Sequence, residues 1–118
     1  MGAGTVLDVE SARECLGAGA QFVVTPCLIE PVIEFCNRES VLMCVGALTP
    51  TEVFRAWQSG ADVVKVFPVS AVGGAGYIKA LKAPFPEIPL MPTGGLKPDD
   101  LAEFVSAGAL AIGVGFKG

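Results

Sequence analysis

The sequence predicts an α/β fold with a parallel sheet, and three observations carry that reading. Hydrophobic residues make up 52% of the 118-residue chain and charged residues only 17%, a balance too apolar for disorder and suited to strands buried on both faces. Six short apolar runs alternate with stretches of helical spacing, the pattern of repeated βα units. The joints that lead from helix to strand also repeat, with Gly19-Ala20 before Phe22, Gly60-Ala61 before Val63 and Gly108-Ala109 before Leu110. Glycine after a helix supplies the left-handed turn that ends it.

The predicted strands are 2–6, 22–26, 41–46, 63–67, 90–93 and 110–114. The predicted helices begin with 9–17. The second, 31–38, sets Val32, Ile33, Phe35 and Cys36 on one face. The third, 50–59, has the plainest start signal: Thr49 can cap, Pro50 suits the first helical position, and Glu52 completes a capping box. A short fourth helix covers 77–82. The fifth covers 98–106, with Lys97 or Asp99 near its start. Right-handed crossovers curl such a sheet one way. Two end states remain open on this pattern, a doubly wound open sheet and a (β/α) barrel, and 1–118 reads as one domain.

Composition excludes several function classes. The net charge of −4 and pI near 4.6 argue against a nucleic-acid partner. No apolar run has the ~18 residues of a membrane span, and the start has no basic region or signal-peptide core. A cytoplasmic protein is the expectation. The four cysteines, Cys15, Cys27, Cys36 and Cys44, form no C-x-x-C pair and read as reduced apolar side chains. There is no histidine, which removes His–Cys zinc sites and every Ser-His or Cys-His pair. Acid–base chemistry must then fall to Lys, Asp, Glu, Tyr or Cys.

The polar and special residues gather at the C-terminal ends of the predicted strands: Thr5, Thr25-Pro26, Gly46, Lys65-Val66-Phe67-Pro68 and Pro92-Thr93-Gly94-Gly95. Barrel active sites are built on that rim. Lys65 is the sharpest feature, a lone charge in Val63-Val64-Lys65-Val66-Phe67. Alternation puts Val63, Lys65 and Phe67 on one face and Val64 and Val66 on the other. Desolvation favours a neutral amine, and a neutral amine attacks a ketone to give an imine that serves as an electron sink. The competing reading is an ammonium that snorkels to water.

Thr93-Gly94-Gly95, followed by Lys97-Pro98-Asp99, is a strand, a glycine turn and a helix start whose N–H groups suit a phosphate or carboxylate. Gly113-Val114-Gly115 is a second glycine-rich strand end. Glycine also simply makes turns. The run Gly73-Gly74-Ala75-Gly76 reads as a flexible connection, no Walker or dinucleotide spacing is present, and Trp57 and Tyr77 read as packing.

Taken together, six stretches resemble the 2-keto-3-deoxy-6-phosphogluconate (KDPG) / 4-hydroxy-2-oxoglutarate (KHG) aldolase family. They are Gly2-Ala3-Gly4-Thr5-Val6, Gly19 through Pro26, Leu48-Thr49-Pro50-Thr51-Glu52, Lys65-Val66-Phe67-Pro68, Pro84-Phe85-Pro86 and Pro92-Thr93-Gly94-Gly95, in family order and across essentially the whole chain. The resemblance implies a trimer of eight-stranded (β/α) barrels, of which this chain supplies a partial barrel of about six βα units. It implies a metal-independent class I aldolase that cleaves a 2-keto-4-hydroxy acid to pyruvate and an aldehyde, with no organic cofactor. Lys65 matches the Schiff-base lysine; Thr5, Pro26 and Phe67 match the substrate pocket; Thr93, Gly94 and Gly95 match the loop for the far end of the substrate. Gly94, Gly95, Gly113 and Gly115 match the phosphate site. The pathway implied is the Entner–Doudoroff route, and 2-dehydro-3-deoxy-6-phosphogalactonate is an alternative substrate.

The departures from the family pattern are specific. Met1 falls just before the family's third strand, so its first two strands and final helix have no counterpart in these residues. The family's catalytic glutamate and a substrate-binding arginine lie on or after that second strand. Glu10, Glu14, Glu30, Glu39 and Glu52 all read as helix starts or solvated faces. Cys27 and Val45 replace commoner residues, and Phe116 stands where a serine usually completes the last phosphate loop. Two further readings therefore stand beside the aldolase: a catalytically impaired fragment, and a phosphate-binding or assembly module of the same fold. In both, exposed strand edges favour association.

Overall fold

A computed structural model describes residues 2, 3 and 6–113. Its elements alternate along the chain. Strand β1 (Gly2–Ala3) precedes helix α1 (Val9–Gly17), β2 (Phe22–Thr25), α2 (Glu30–Arg38), β3 (Leu42–Ala47) and α3 (Pro50–Gln58). Then follow β4 (Val63–Val66), a 3-10 turn (Val69–Val72), α4 (Ala75–Lys82), β5 (Leu90–Pro92), a second 3-10 turn (Pro98–Asp100) and α5 (Leu101–Ser106).

The strands form one parallel sheet in the order β1-β2-β3-β4-β5. Sequential order decides between the two end states. A doubly wound sheet reverses direction at a switch point, and no reversal occurs here. Right-handed steps between sequential neighbours set their helices on one side of the sheet. The result is a curved wall of partial-barrel type, not a two-sided open sheet.

Alternation then divides strands β2 to β5. Val23, Val45, Val64, Val66 and Leu90 point to the helices and are buried, and they pack with Ala12, Val32, Ile33, Val53, Ile78 and Leu81. Phe22, Leu42, Cys44, Val63 and Met91 line the opposite face, an apolar basin of about 330 Å³ that Leu110 and Ala111 complete. Leu42 and Leu110 are 60% and 64% exposed there.

Helix boundaries follow from capping. Asp8 accepts from the Ser11 N–H at 2.7 Å at the start of α1. At α3 the predicted capping box forms: Thr49 Oγ1 accepts from the Glu52 N–H at 3.3 Å, and Glu52 Oε1 accepts from the Leu48 and Thr49 N–H groups at 2.8 and 3.0 Å. The three Gly-Ala joints share a left-handed glycine, with φ of +103° at Gly19, +110° at Gly60 and +109° at Gly108.

Three expectations need correction. No strand is assigned over 110–113; that segment follows β5 through Leu110 N–H to Leu90 O, Gly113 N–H to Pro92 O and a single parallel bridge between Thr93 and Gly113. Residues 4, 5 and 114–118, including Thr5 and Gly115, lie outside the described residues. The run 73–76 is not a loose connection: Gly73 and Gly74, both at positive φ, join a 3-10 turn directly to α4, which contains Ala75 and Gly76. The predicted fifth helix opens as a 3-10 turn, where the Lys97 N–H donates to Asp100 Oδ2 at 2.8 Å.

Candidate active site

The strand ends bring most of the predicted residues to one rim. Lys65 sits in β4 on the basin face, half-buried, while its neighbours Val64 and Val66 are buried under the helices. The register places Gly46 of β3 on one side of Lys65 and Met91 of β5 on the other. Glycine on one flank and a flexible thioether on the other leave the amine approachable. Phe67 continues the same face, 42% exposed, with Lys65 Nζ 5.0 Å from its ring centroid. The Phe67 N–H donates to Ala47 O at 3.2 Å, which ties this residue to the end of β3. The Phe67-Pro68 peptide is cis.

Gly46 also accounts for the position of Pro26. A Cβ on Gly46 would collide with the Pro26 carbonyl and the Thr25 carbonyl oxygen. The missing side chain lets the end of β2 fold against β3, which sets Pro26 two strands from Lys65. Thr25 is fully buried and turns its hydroxyl to Cys27 O at 2.8 Å, so it shapes the turn and faces away from the basin.

The glycine loop is held from below and beside. The Thr93 N–H donates to Val66 O at 2.8 Å, and Thr93 O accepts from the Val69 N–H at 2.9 Å. Thr93 Oγ1 donates to Met91 O at 3.3 Å. Gly94, at φ +105°, would bring a Cβ to 3.0 Å from Pro68 Cα, and Gly95, at φ +74°, would bring one to 2.7 Å from Ser70 Oγ. Only glycine fits both the backbone angles and the spacing. Among the described residues, none accepts from the N–H groups of Gly94, Gly95 or Leu96. Three successive N–H groups at a strand end, without an acceptor among the described residues, make this loop a candidate anion site. Gly113 pairs with Thr93 and has no room for a side chain beside it.

The electrostatics are simple. Cys44 lies on the basin face one alternation before Gly46; burial pushes its thiol up to about 11, with the Lys65 charge pulling the other way. Among the described residues no carboxylate pairs with Lys65. Glu52 is engaged in its cap, and those two N–H donors hold its carboxyl below the usual value. The Tyr77 hydroxyl donates to Leu48 O, and burial together with the Glu52 charge pushes the phenol up. Three residues near the rim escaped sequence reading: Cys44, legible from strand alternation once β3 is placed; Tyr77, read only as packing; and Ser70, which has no local signal. A larger depression of about 560 Å³ beside Arg13, Phe35 and Arg38 lies on the helical side and contains none of the predicted site residues.

Comparison with known proteins adds independent information. The family description "KDPG and KHG aldolase" matches residues 1–117. The chain is 42% identical over 106 residues to a 2-dehydro-3-deoxy-phosphogluconate aldolase of Treponema pallidum, covering 90% of this chain and 50% of that protein. It is 40% identical over 116 residues to a 2-dehydro-3-deoxy-6-phosphogalactonate aldolase of Escherichia coli, covering 98% and 56%. A native KDPGal structure superposes with a TM-score of 0.89 at 40% identity, over 97% of this chain and 55% of that one. A KDPG aldolase from Legionella pneumophila, solved with pyruvate captured as a covalent carbinolamine, superposes at 0.85 with 25% identity, over 94% and 54%. The chain thus spans about half the length of the curated relatives it matches.

Proposed function

The chain belongs to the KDPG and KHG aldolase family, and on that premise we propose that Lys65 forms a Schiff base with a 2-keto acid and supports reversible aldol cleavage to pyruvate. The observation that carries this reading is the position of Lys65. Among the described residues it is the only lysine in a strand, on the face away from the helices, with Gly46 beside it. Lys79, Lys82 and Lys97 lie on α4 or in the loop after β5.

The chemistry follows from an amine at that place. The neutral Nζ adds to the keto carbon, and loss of water from the carbinolamine leaves an imine. The C3–C4 bond then breaks, its electron pair entering the imine as an enamine while the C4 hydroxyl proton leaves and the aldehyde departs. Protonation of the enamine at C3 and attack of water on the imine release pyruvate and restore the amine. Phe67 and Pro26 wall the keto-acid end, with Thr5 lining the same pocket. Thr93, Gly94 and Gly95 line the far end, where the N–H groups of Gly94 and Gly95 have no acceptor among the described residues, and Gly113 and Gly115 complete a phosphate site. Lysine takes the role that a metal ion plays in other aldolases, so the reaction uses no cofactor.

The substrate proposed is 2-keto-3-deoxy-6-phosphogluconate, with 4-hydroxy-2-oxoglutarate and the 6-phosphogalactonate epimer as alternatives, and the setting is the Entner–Doudoroff pathway. The working form is a closed eight-stranded barrel in a cytoplasmic trimer, to which 1–118 contributes one incomplete barrel unit. Among the described residues no helix is long and apolar enough to cross a membrane.

One observation favours a second reading, that proton transfer is impaired. No carboxylate stands against Lys65 among the described residues, and loss of general acid–base help costs ~10²–10⁴-fold. Imine formation would survive while cleavage slowed. Borohydride reduction with and without pyruvate, read by intact mass and peptide mapping, tests both. A pyruvate-dependent adduct on Lys65 supports the Schiff base, and its turnover rate on the phosphorylated acid separates the full aldolase from the impaired one. No adduct in folded protein rejects the proposal.

A further inference from the structure

The turn after β4 and the glycine loop after β5 are joined at their tips by one side chain. Ser70 Oγ donates to Gly94 O at 2.6 Å across 24 positions of sequence. The same oxygen occupies the space that a Gly95 side chain would need, 2.7 Å from its ideal Cβ. One residue earlier, the Val69 N–H donates to Thr93 O at 2.9 Å. The loop carrying the open N–H groups is therefore fixed by the 3-10 turn that begins at Val69, three residues after Val66 ends the strand of Lys65.

We propose that Ser70 is a positioning residue for the distal end of the substrate, holding the Gly94 peptide so that the Gly95 and Leu96 N–H groups face an anion at fixed distance from Lys65. The inference rests on the Schiff-base reading of Lys65. The geometry explains why one side chain has this influence. Gly94 and Gly95 both hold positive φ, where glycine has the widest choice of angles, so the loop has little intrinsic preference. The hydroxyl constrains the single carbonyl between them. Without it the Gly94 peptide can rotate, and the N–H of Gly95 turns with it. Pyruvate ends at its methyl group and does not reach this loop, whereas a six-carbon acid with a terminal phosphate does. Ser70 is exposed and outside the core, so its removal leaves the packing of the sheet unchanged.

The test is Lys65 labelling by borohydride in wild-type protein and in Ser70→Ala, with pyruvate and separately with 2-keto-3-deoxy-6-phosphogluconate. Intact mass counts both the whole adduct and the pyruvyl adduct as occupancy, so the measurement works whether or not cleavage occurs. The loss of one neutral hydrogen bond predicts a rise of roughly three- to tenfold in the half-saturating concentration of the phosphorylated acid. Pyruvate should change less than about twofold. Equal shifts for the two ligands, or no shift for the phosphorylated acid, overturn the role of Ser70 and leave the Schiff base standing. Absence of labelling in the wild-type protein with either ligand overturns the Schiff-base reading and the inference with it.

Discussion

The Lys65 amine lies 5.0 Å from the centroid of the Phe67 ring, two positions further along the same face. The ring sits where it can act both on the charge of the resting lysine and on the apolar end of a bound keto acid. Phe67→Ala removes the wall while leaving the amine in place. Pyruvate should then require about three- to tenfold higher concentration for half-maximal labelling of Lys65, the scale of one lost apolar contact of ~1 kcal/mol. Borohydride titration with mass readout measures it, and an unchanged titration removes Phe67 from the pocket.

Lys65→Ala and Lys65→Arg should both eliminate pyruvate-dependent labelling. Alanine has no amine, and guanidinium stays charged. Because Lys65 makes no ion pair among the described residues and faces the basin, folding should be nearly intact, within about 0.5 kcal/mol by denaturant titration. Adducts that persist in either variant would move the chemistry to Lys79 or Lys82.

Gly46→Ala should be costly out of proportion to its size. The new methyl group collides with the Pro26 carbonyl, and neither β2 nor β3 can yield without breaking their register at Thr25–Val45. Overpacking of this kind costs about 1–3 kcal/mol. Thermal unfolding should fall accordingly, and labelling by pyruvate should weaken in the protein that remains folded.

The cap on α3 gives a pH signature. Glu52 is held below its usual value by N–H donors, so its contribution is present above the unfolded carboxylate range. It disappears as pH falls through the depressed folded value. Glu52→Gln should flatten the acid limb of stability against pH. Thr49→Ala should cost about 1 kcal/mol at neutral pH. Urea titrations at several pH values check both.

Thiol chemistry should separate the cysteines. Cys27 is exposed, while Cys36 and Cys44 are buried and burial pushes both thiols up. Labelling of folded protein at pH 8 should mark Cys27 and spare Cys36 and Cys44 until unfolding. For Cys44 the sign runs opposite to that of Glu52: its stabilising share is full below the unfolded value of 9.0 and is lost as pH rises through about 11. Cys44→Ala should show a smaller alkaline loss.

How much of this was legible depended on whether a signal was local. The α1 range coincides with its sequence pattern and α3 ends one residue short of its own, because caps and apolar spacing act within a few residues. Lys65 stood out because a charge in an apolar strand is rare whatever surrounds it. Alternation correctly separated Lys65 from Val64 and Val66. The segment 110–113 looked like β5 in composition, but its pairing depends on neighbours that composition does not encode. The order of the 3-10 turn, Gly73 and Gly74 was missed because glycine pairs allow many conformations and the one adopted is chosen by contacts. Ser70 was invisible for the same reason, since its partner Gly94 is 24 positions away. No periodicity links two loop residues at such a distance.

Sequential strand order also bears on how the rim comes into being. Each strand pairs only with the strand before or after it in the chain, and paired residues such as Val23 and Met43 are separated by roughly 20 positions. Loops of that size close at modest entropic cost, and assembly can advance one unit at a time as the chain emerges during synthesis. Gly46 and Lys65 come together through β3, α3 and β4 alone. The corner that places the Lys65 amine is thus written in one short, contiguous passage of the chain, and it can be assembled before the Gly94-Gly95 loop has been made.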